Sequence, residues 1–308
     1  MAHTDVPVTP GSRLALYWEF SRPFTLIAPA LGMLSGGVAA LGAYPPFPLT
    51  PHLFLNLVLG TLMAAVLNAG SNTLNQIYDL EVDRVNKPKR AIPSGRIGIT
   101  EAHLVTAAFF FLGLLLAWLV NVQCFLLALG ATLLTMAYSM PPFRTKARGL
   151  WANLTIALPR GVGLKVAGWS CVKTVVAWEP WMIGLIFGLF LLAASSTQDF
   201  ADIPGDRAGG CKTLPILYGV RKAAWMIAPF FIFPFLLIPI GAVMGWLTGN
   251  PSALILLGFG LAAWGSYVVY LILRDPSALA STENHPSWTH MYVMMFVAQV
   301  GFALAYLI

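Results

Sequence analysis

Nine apolar stretches, each close to 20 residues long, follow one another along this chain of 308 residues. They cover residues 22–42, 53–80, 101–120, 123–140, 151–170, 180–200, 222–246, 253–273 and 288–308. A helix needs about 20 mostly apolar residues to cross a bilayer, and short connectors separate these stretches. The pattern predicts an all-α, polytopic membrane bundle of nine transmembrane helices, built as a single domain over residues 1–308.

The charge content excludes a soluble protein. Only 10% of the residues are charged and 58% are hydrophobic, whereas a soluble domain carries about 25% charged residues. So few charges cannot cover a surface that faces water. A lipid bilayer is therefore the expected surrounding of this chain.

The basic residues lie almost entirely on one side of the predicted bundle. Fifteen of the 18 lysines and arginines fall in the N-terminal region or in the even-numbered connectors. The positive-inside rule then places the N-terminus and these connectors in the cytoplasm, and nine helices leave the C-terminus outside. Topology thus accounts for the net charge of +6, with no nucleic acid and no obligate protein partner predicted.

Topology does not account for the acidic residues. Half of the 12 acids lie at the ends of the second and sixth stretches. Asn75, Asp79 and Asp83 have i, i+4, i+8 spacing, and Asn72 extends this face into the membrane. A second set, Asp199, Asp202 and Asp206, also shares one helical face. Carboxylates stacked at the C-terminal end of a helix repel one another unless cations bind there.

The two acidic sets form a repeat. DLEVDR at 79–84 and DIPGDR at 202–207 align with a constant offset, which also matches Lys89 with Lys212. Four predicted helices separate the copies, so the sequence predicts two similar four-helix halves plus a ninth helix. A single DxxxD is most often a solvated helix end. Two matched copies beside bases instead predict a diphosphate held between Mg²⁺ and cationic side chains.

At these residues the chain resembles the UbiA superfamily of intramembrane prenyltransferases. NQIYDLEVD at 75–83 is similar to the family motif N-D-x-x-D-x-x-x-D, with Gln76 replacing an acid. The second acidic set matches D-x-x-D-x-x-x-D, with Gln198 where many members carry lysine. YSMPP at 138–142 and Arg22-Pro23 are also similar to the family.

The resemblance implies nine helices around a central cavity and transfer of a prenyl group from an isoprenyl diphosphate to a lipophilic acceptor. Asn75, Asp79 and Asp83 would hold one Mg²⁺ ion, and Asp199, Asp202 and Asp206 would hold a second. The four aspartates Asp79, Asp83, Asp202 and Asp206 are expected to act in catalysis. Tyr138 is the expected neighbour of the allylic carbocation, through cation–π attraction.

Basic and polar residues near these motifs are candidate substrate ligands. They are Arg22, Asn72, Lys89, Arg90, Lys146, Arg160 and Lys212, with Arg144 and Arg207 weaker candidates. Arg160 and Lys165 stand inside the fifth stretch, where a charge is costly and usually faces a cavity. Arg160 is predicted to meet an acceptor carboxylate or phosphate, whereas Lys165 is expected to snorkel toward an interface.

Three alternatives for function follow from these features. In the first, the protein transfers a prenyl group to an acceptor, which is an aromatic quinone precursor, a tetrapyrrole or a glycerol-phosphate lipid. In the second, a cyclase of the same fold uses both metal sites without an acceptor. A transporter or binding protein for an anionic lipid is the third, although its charged site is expected near the bilayer midplane. The acids here lie at helix ends instead.

Overall fold

The computed structural model describes residues 10–282 and 285–308, and these residues form helices, turns and loops with no strand. The helices are, in chain order, α1 (Pro10–Ser21), α2 (Ile27–Gly42), α3 (Pro51–Tyr78), α4 (Leu80–Asn86), α5 (Ile99–Val120), α6 (Val122–Ser139), α7 (Leu150–Ala157), α8 (Leu164–Ser170), α9 (Glu179–Ala194), α10 (Thr197–Ala201), α11 (Ile203–Ala208), α12 (Leu214–Tyr218), α13 (Val220–Ile227), α14 (Phe233–Val243), α15 (Pro251–Arg274), α16 (Ala278–Ser281) and α17 (Pro286–Leu307). The all-α prediction is therefore confirmed.

Eight helical segments of the described chain are long and apolar enough to cross a membrane. They are Pro23–Gly42, Pro51–Tyr78, Ile99–Val120, Val122–Ser139, Glu179–Ala201, Val220–Val243, Pro251–Arg274 and Pro286–Leu307. Each corresponds to one predicted stretch. The ninth prediction, residues 151–170, is not among them, so the exact count of nine stays a prediction.

The fifth stretch differs because its helix is interrupted. Between α7 and α8, residues Leu158–Gly163 form a π-helical turn, which contains Pro159 and the charged Arg160. Proline lacks a backbone N–H and disturbs the α-helical bonding pattern. The stretch therefore consists of two short helices joined by a turn that carries a charge.

Local sequence signals set where several long helices begin. Thr50, Asn121 and Asn250 each accept a hydrogen bond from a backbone N–H of the first turn of α3, α6 and α15. Proline follows at the first position of α3 and α15, where its missing N–H costs nothing. These caps place the helix starts at the ends of the apolar stretches.

Two large hydrophobic clusters lie between the helices. One is formed mainly by α9, α13, α14, α15 and α17, with Phe190, Phe231 and Phe235 at its centre. The other joins α2, α3, α5, α6 and α8, with Met33 and Met63 among its buried side chains. Helix α17 packs against both α2 and α15, so it closes the ring of helices.

Candidate active site

Both acidic motifs are built in the same way. Asp79 lies between α3 and α4, and Asp202 lies between α10 and α11. Their backbone angles are nearly equal, with φ −100° and ψ 13° for Asp79 and φ −90° and ψ 3° for Asp202. Hydrogen bonds between residues four apart continue through the first break, from Asp79 N–H to the Asn75 oxygen and from Asp83 N–H to the Asp79 oxygen. The predicted i, i+4, i+8 face is therefore kept.

The short helices α4 and α11 pack against each other and bring the two motifs together. Asn86 Nδ2 donates to the Asp202 backbone oxygen at 3.3 Å, and Asn86 Oδ1 accepts from the Gly205 backbone N–H at 3.1 Å. A β-carbon on Gly205 would collide with the Asn86 side chain, and one on Gly209 would collide with Val82. Glycine at both positions thus permits the close approach of the two helices.

A cavity of about 250 Å³, the main cavity, lies between the two motifs and extends among the helices. Twelve of the predicted site residues line it: Arg22, Asn72, Asn75, Asp79, Asp83, Arg90, Tyr138, Lys146, Arg160, Asp199, Asp202 and Asp206. Its other walls are largely apolar and aromatic, and they include Phe187, Phe190, Trp288, Met291 and Met295. The main cavity therefore has a charged end and an apolar end.

Basic side chains hold three of the carboxylates at the charged end. Arg90 Nη1 donates to both oxygens of Asp83 at 2.7 Å. Lys146 pairs with Asp79, and both side chains are buried. Lys87 Nζ lies 3.1 Å from the nearer Asp202 oxygen. Acids and bases of the two motifs thus pair with each other.

The remaining carboxylates have no such partner. Within the described part of the chain, no lysine or arginine forms an ion pair with Asp199 or Asp206. Burial and the neighbouring Asp202 charge raise the pKa of Asp206 to about 6. Burial also raises the pKa of Asp83, although Arg90 opposes this shift. The second motif therefore carries the least compensated negative charge.

The donor set suits Mg²⁺, although the carboxylates are not drawn into one cluster. Among residues 10–282 and 285–308, no three His, Cys, Asp or Glu side chains lie close enough to hold one ion. Mg²⁺ prefers oxygen ligands and usually binds one or two carboxylates together with substrate phosphates. Carboxylate oxygens that face a shared cavity fit that mode, with phosphate oxygens completing the coordination.

Three arginines face the main cavity and repel one another. The pKa of Arg22 is lowered by burial and then by the charges of Arg90 and Arg160. Arg22 has a left-handed backbone with φ 58°, which turns the chain between α1 and the first span. Arg160 lies deep among the helices, and its side chain is exposed because it projects into the cavity. Arg22 and Arg160 form no ion pair with a carboxylate in the described part of the chain, so they form a site for an anion.

Lys165 lies elsewhere than predicted. Its side chain is 2% exposed and points inward rather than toward an interface. Lys165 Nζ donates to the Gly32 oxygen at 3.3 Å and to Ser35 Oγ, and it lies 3.9 Å from the centre of the Phe187 ring. The π turn explains the error, because residues five apart then follow one another along one face. Arg160 and Lys165 consequently line the same cavity.

Three predicted basic ligands are not brought into the main cavity. Lys89 and Lys212 are exposed, and Arg144 forms part of the turn before the short 3-10 segment Thr145–Ala147. None of the three lines the cavity. The interpretation from the sequence missed Lys87 and Asn86, although both lie in the basic connector that follows the first motif. Lys87 and Asn86 come close to Asp202 because α4 packs against α11.

The comparisons with known proteins agree on one family. The model of the UbiA prenyltransferase family matches residues 26–288. Digeranylgeranylglyceryl phosphate synthase of Thermococcus kodakarensis is 32% identical over 297 residues, which cover 94% of this chain and 97% of the relative. The enzyme of the same name from Methanopyrus kandleri is 34% identical over 258 residues, covering 82% and 90% respectively.

A solved structure shares the fold. A UbiA homologue from Archaeoglobus fulgidus, bound to GPP and Mg²⁺, superposes with a TM-score of 0.73 at 22% identity. The superposition covers 95% of this chain and all of that one. Its ring of helices is therefore the arrangement found here.

Proposed function

The chain belongs to the UbiA prenyltransferase family, and from that premise we propose that it prenylates a glycerol-phosphate lipid in a Mg²⁺-dependent reaction. It is a membrane-embedded prenyltransferase. The observation that carries the proposal is the main cavity, which joins two acidic motifs, bases and an apolar interior. A diphosphate ester with a hydrocarbon tail has the same division of polarity. Relatives named digeranylgeranylglyceryl phosphate synthase support geranylgeranyl chains and a glyceryl phosphate acceptor.

The charged end of the main cavity would bind the donor diphosphate. Arg90, Lys87 and Lys146 lie there already, each paired with an aspartate. On donor binding we expect these bases to turn to phosphate oxygens, since charge-assisted bonds to phosphate equal those to carboxylate. Their aspartates then become free for metal ions.

Each acidic motif would hold one Mg²⁺ ion, with Asn75, Asp79 and Asp83 at the first and Asp199, Asp202 and Asp206 at the second. Structures of the same fold bound to Mg²⁺ with GPP or DMAPP support a role for Mg²⁺. Mg²⁺ supplies positive charge where the departing diphosphate becomes more negative. The aspartates would hold the ions, and the helix breaks at Asp79 and Asp202 lie where both motifs line the main cavity.

Aromatic side chains would shelter the allylic cation that forms when the donor C1–O bond breaks. Tyr138, Tyr292 and Trp288 all line the main cavity, and aromatic faces attract cations. A water-poor surrounding also protects the cation from hydrolysis. The acceptor hydroxyl oxygen then bonds to C1, and its proton passes to an oxygen of the released diphosphate.

Arg160 and Arg22 would bind the phosphate of the acceptor. In the described part of the chain neither guanidinium forms an ion pair with a carboxylate. Both face the main cavity, and an unpaired guanidinium that faces a cavity is suited to bind a phosphate. A phosphate held there places the adjacent glycerol hydroxyl toward Tyr138 and the donor.

The active site would open toward the cytoplasm. The basic connectors around both acidic motifs support this orientation through the positive-inside rule. The N-terminus would lie on the same side, and the C-terminus on the opposite side. Residues 1–308 would form a single prenyltransferase domain.

Purified protein in detergent tests the proposal directly. Geranylgeranyl diphosphate and geranylgeranylglyceryl phosphate would be supplied with and without Mg²⁺, and both diphosphate and the diether product measured. We expect stoichiometric release of both only with Mg²⁺. Diphosphate release without an acceptor would indicate the cyclase. A phenol and a tetrapyrrole would be tested as acceptors in the same assay, and prenylation of one of these alone would contradict the glycerol-phosphate acceptor. Tight Mg²⁺-dependent binding of the lipids without any reaction would favour the transporter.

A further inference from the structure

A second, smaller cavity of about 60 Å³, the side cavity, lies next to the main one. Helices α2, α3, α5, α6 and the π turn surround it, and its walls are mostly apolar, with Met63, Leu67, Phe110, Leu127 and Ala131 among them. It is therefore a site for hydrocarbon, placed between helices of the first half and the π turn.

Arg160 stands at the junction of the two cavities. It lines both of them, together with Pro29 and Leu164. Arg160 Nη2 donates to Ser71 Oγ at 3.1 Å, and Ser71 belongs to the wall of the side cavity. A ligand with an anionic group at Arg160 thus has two apolar directions open to it.

The π turn creates this junction. Gly161 lies so close to the backbone of Gly188 that a β-carbon there would collide with it. That contact fixes the turn against α9, and the preceding residue, Arg160, then projects between the cavities. The charge is carried by the wall itself rather than by a mobile loop.

We propose that the side cavity receives part of the hydrocarbon chain of the acceptor while Arg160 binds its phosphate. This rests on the proposed function, in which the donor and the acceptor each carry a long prenyl chain. Both chains must be accommodated while the acceptor hydroxyl oxygen reaches the donor C1. The apolar end of the main cavity takes the donor chain, so the acceptor chain requires a separate path. The side cavity offers one, and it lies beside Arg160, a cation that has no carboxylate partner within the described residues.

A pair of neighbouring substitutions on α6 tests the assignment. Ala131→Phe adds a ring to the side cavity. Gly130→Phe adds the same ring one residue earlier, where a β-carbon meets open space. Steady-state KM values would be measured for geranylgeranyl diphosphate, for geranylgeranylglyceryl phosphate and for a glyceryl phosphate acceptor with a short alkyl chain. Thermal unfolding would verify that each variant folds, and Ala131→Leu would replace the phenylalanine variant if it does not.

The expected result is a selective loss. Ala131→Phe should raise KM for the long-chain acceptor at least tenfold, while KM for the donor and for the short-chain acceptor stays within twofold. Gly130→Phe should leave all three within twofold. Arg160→Gln should raise KM for both acceptors, because the phosphate is common to them.

Two results would overturn the assignment. An increase in donor KM with Ala131→Phe would place the donor chain in the side cavity, and unchanged KM values would leave it without a substrate role. Failure of the wild-type protein to use any glyceryl phosphate acceptor is a different outcome, because it refutes the proposed function before any variant is compared.

Discussion

The two acidic motifs share a backbone design but differ in electrostatics. Asp79 and Asp83 are 6% and 3% exposed, and each pairs with a base from its own half of the chain. In the second motif, Asp202 pairs with Lys87 from the other half, and the described structure gives Asp206 no basic partner. The first half thus supplies cations for both motifs. The second half depends on its ligands for compensation, so we expect Mg²⁺ to bind there first.

The largest expected effect tests whether both motifs are equally necessary. Asp79→Asn and Asp202→Asn should each lower kcat/KM by about 10³-fold, because each removes charge stabilisation at the departing diphosphate. Product formation with saturating Mg²⁺ is the measurement. Glu81→Gln serves as a matched control and should stay within twofold, since Glu81 is exposed and bonded only to Arg84. Near-normal activity of Asp202→Asn alone would show that one metal-binding motif suffices.

The next prediction separates the motifs by stability. Lys146→Met should lower the free energy of unfolding of the ligand-free protein by about 3 kcal/mol, because it leaves the buried Asp79 without a partner. Lys87→Met should cost less than about 1 kcal/mol, since the Lys87–Asp202 pair is partly exposed to solvent. Denaturant unfolding in detergent micelles compares the two. Equal losses would contradict the difference in burial.

A third prediction concerns pH. Asp206 has a pKa of about 6 in the metal-free protein, above its ordinary value, so protons compete with Mg²⁺ below pH 6. Apparent Mg²⁺ affinity should fall up to about tenfold per pH unit there. Because the folded pKa is raised, the metal-free protein should also lose stability as pH rises from about 4 to 6. Titration calorimetry of wild type and Asp206→Asn would measure both the affinity and its slope, and an unchanged slope would remove Asp206 from the site.

The smallest effect is expected at the arginines that follow each motif. Arg84 and Arg207 occupy equivalent repeat positions, and both side chains are exposed outside the main cavity. Replacing either by glutamine should change kcat/KM by less than about twofold, because exposed charges are screened by water. A larger loss with Arg207→Gln would show that the second motif recruits a base that lies outside the main cavity.

Much of this architecture was predictable because membrane crossing leaves a strong compositional record. Eight spans were placed within three residues of their ends, and the acidic faces followed from helical spacing. The fifth stretch was harder, since a π turn depends on how Gly161 packs against Gly188 rather than on local apolarity. The predicted position of Lys165 was wrong because the same π turn changes which way the residues after it face. The Lys87–Asp202 pair crosses between halves, so no local pattern could reveal it.

The π turn has a consequence for how such a chain tolerates change. An added residue in a spanning helix cannot be looped out into lipid, because its backbone groups would lose their hydrogen bonds. A wider turn absorbs the surplus locally and leaves the helix beyond it in place. The side chains of α8 are therefore rotated about the helix axis relative to the positions that they would take if α7 continued without the turn. Deleting a single residue from 158–163 would rotate α8 about its axis, and different side chains of α8 would then face the neighbouring helices.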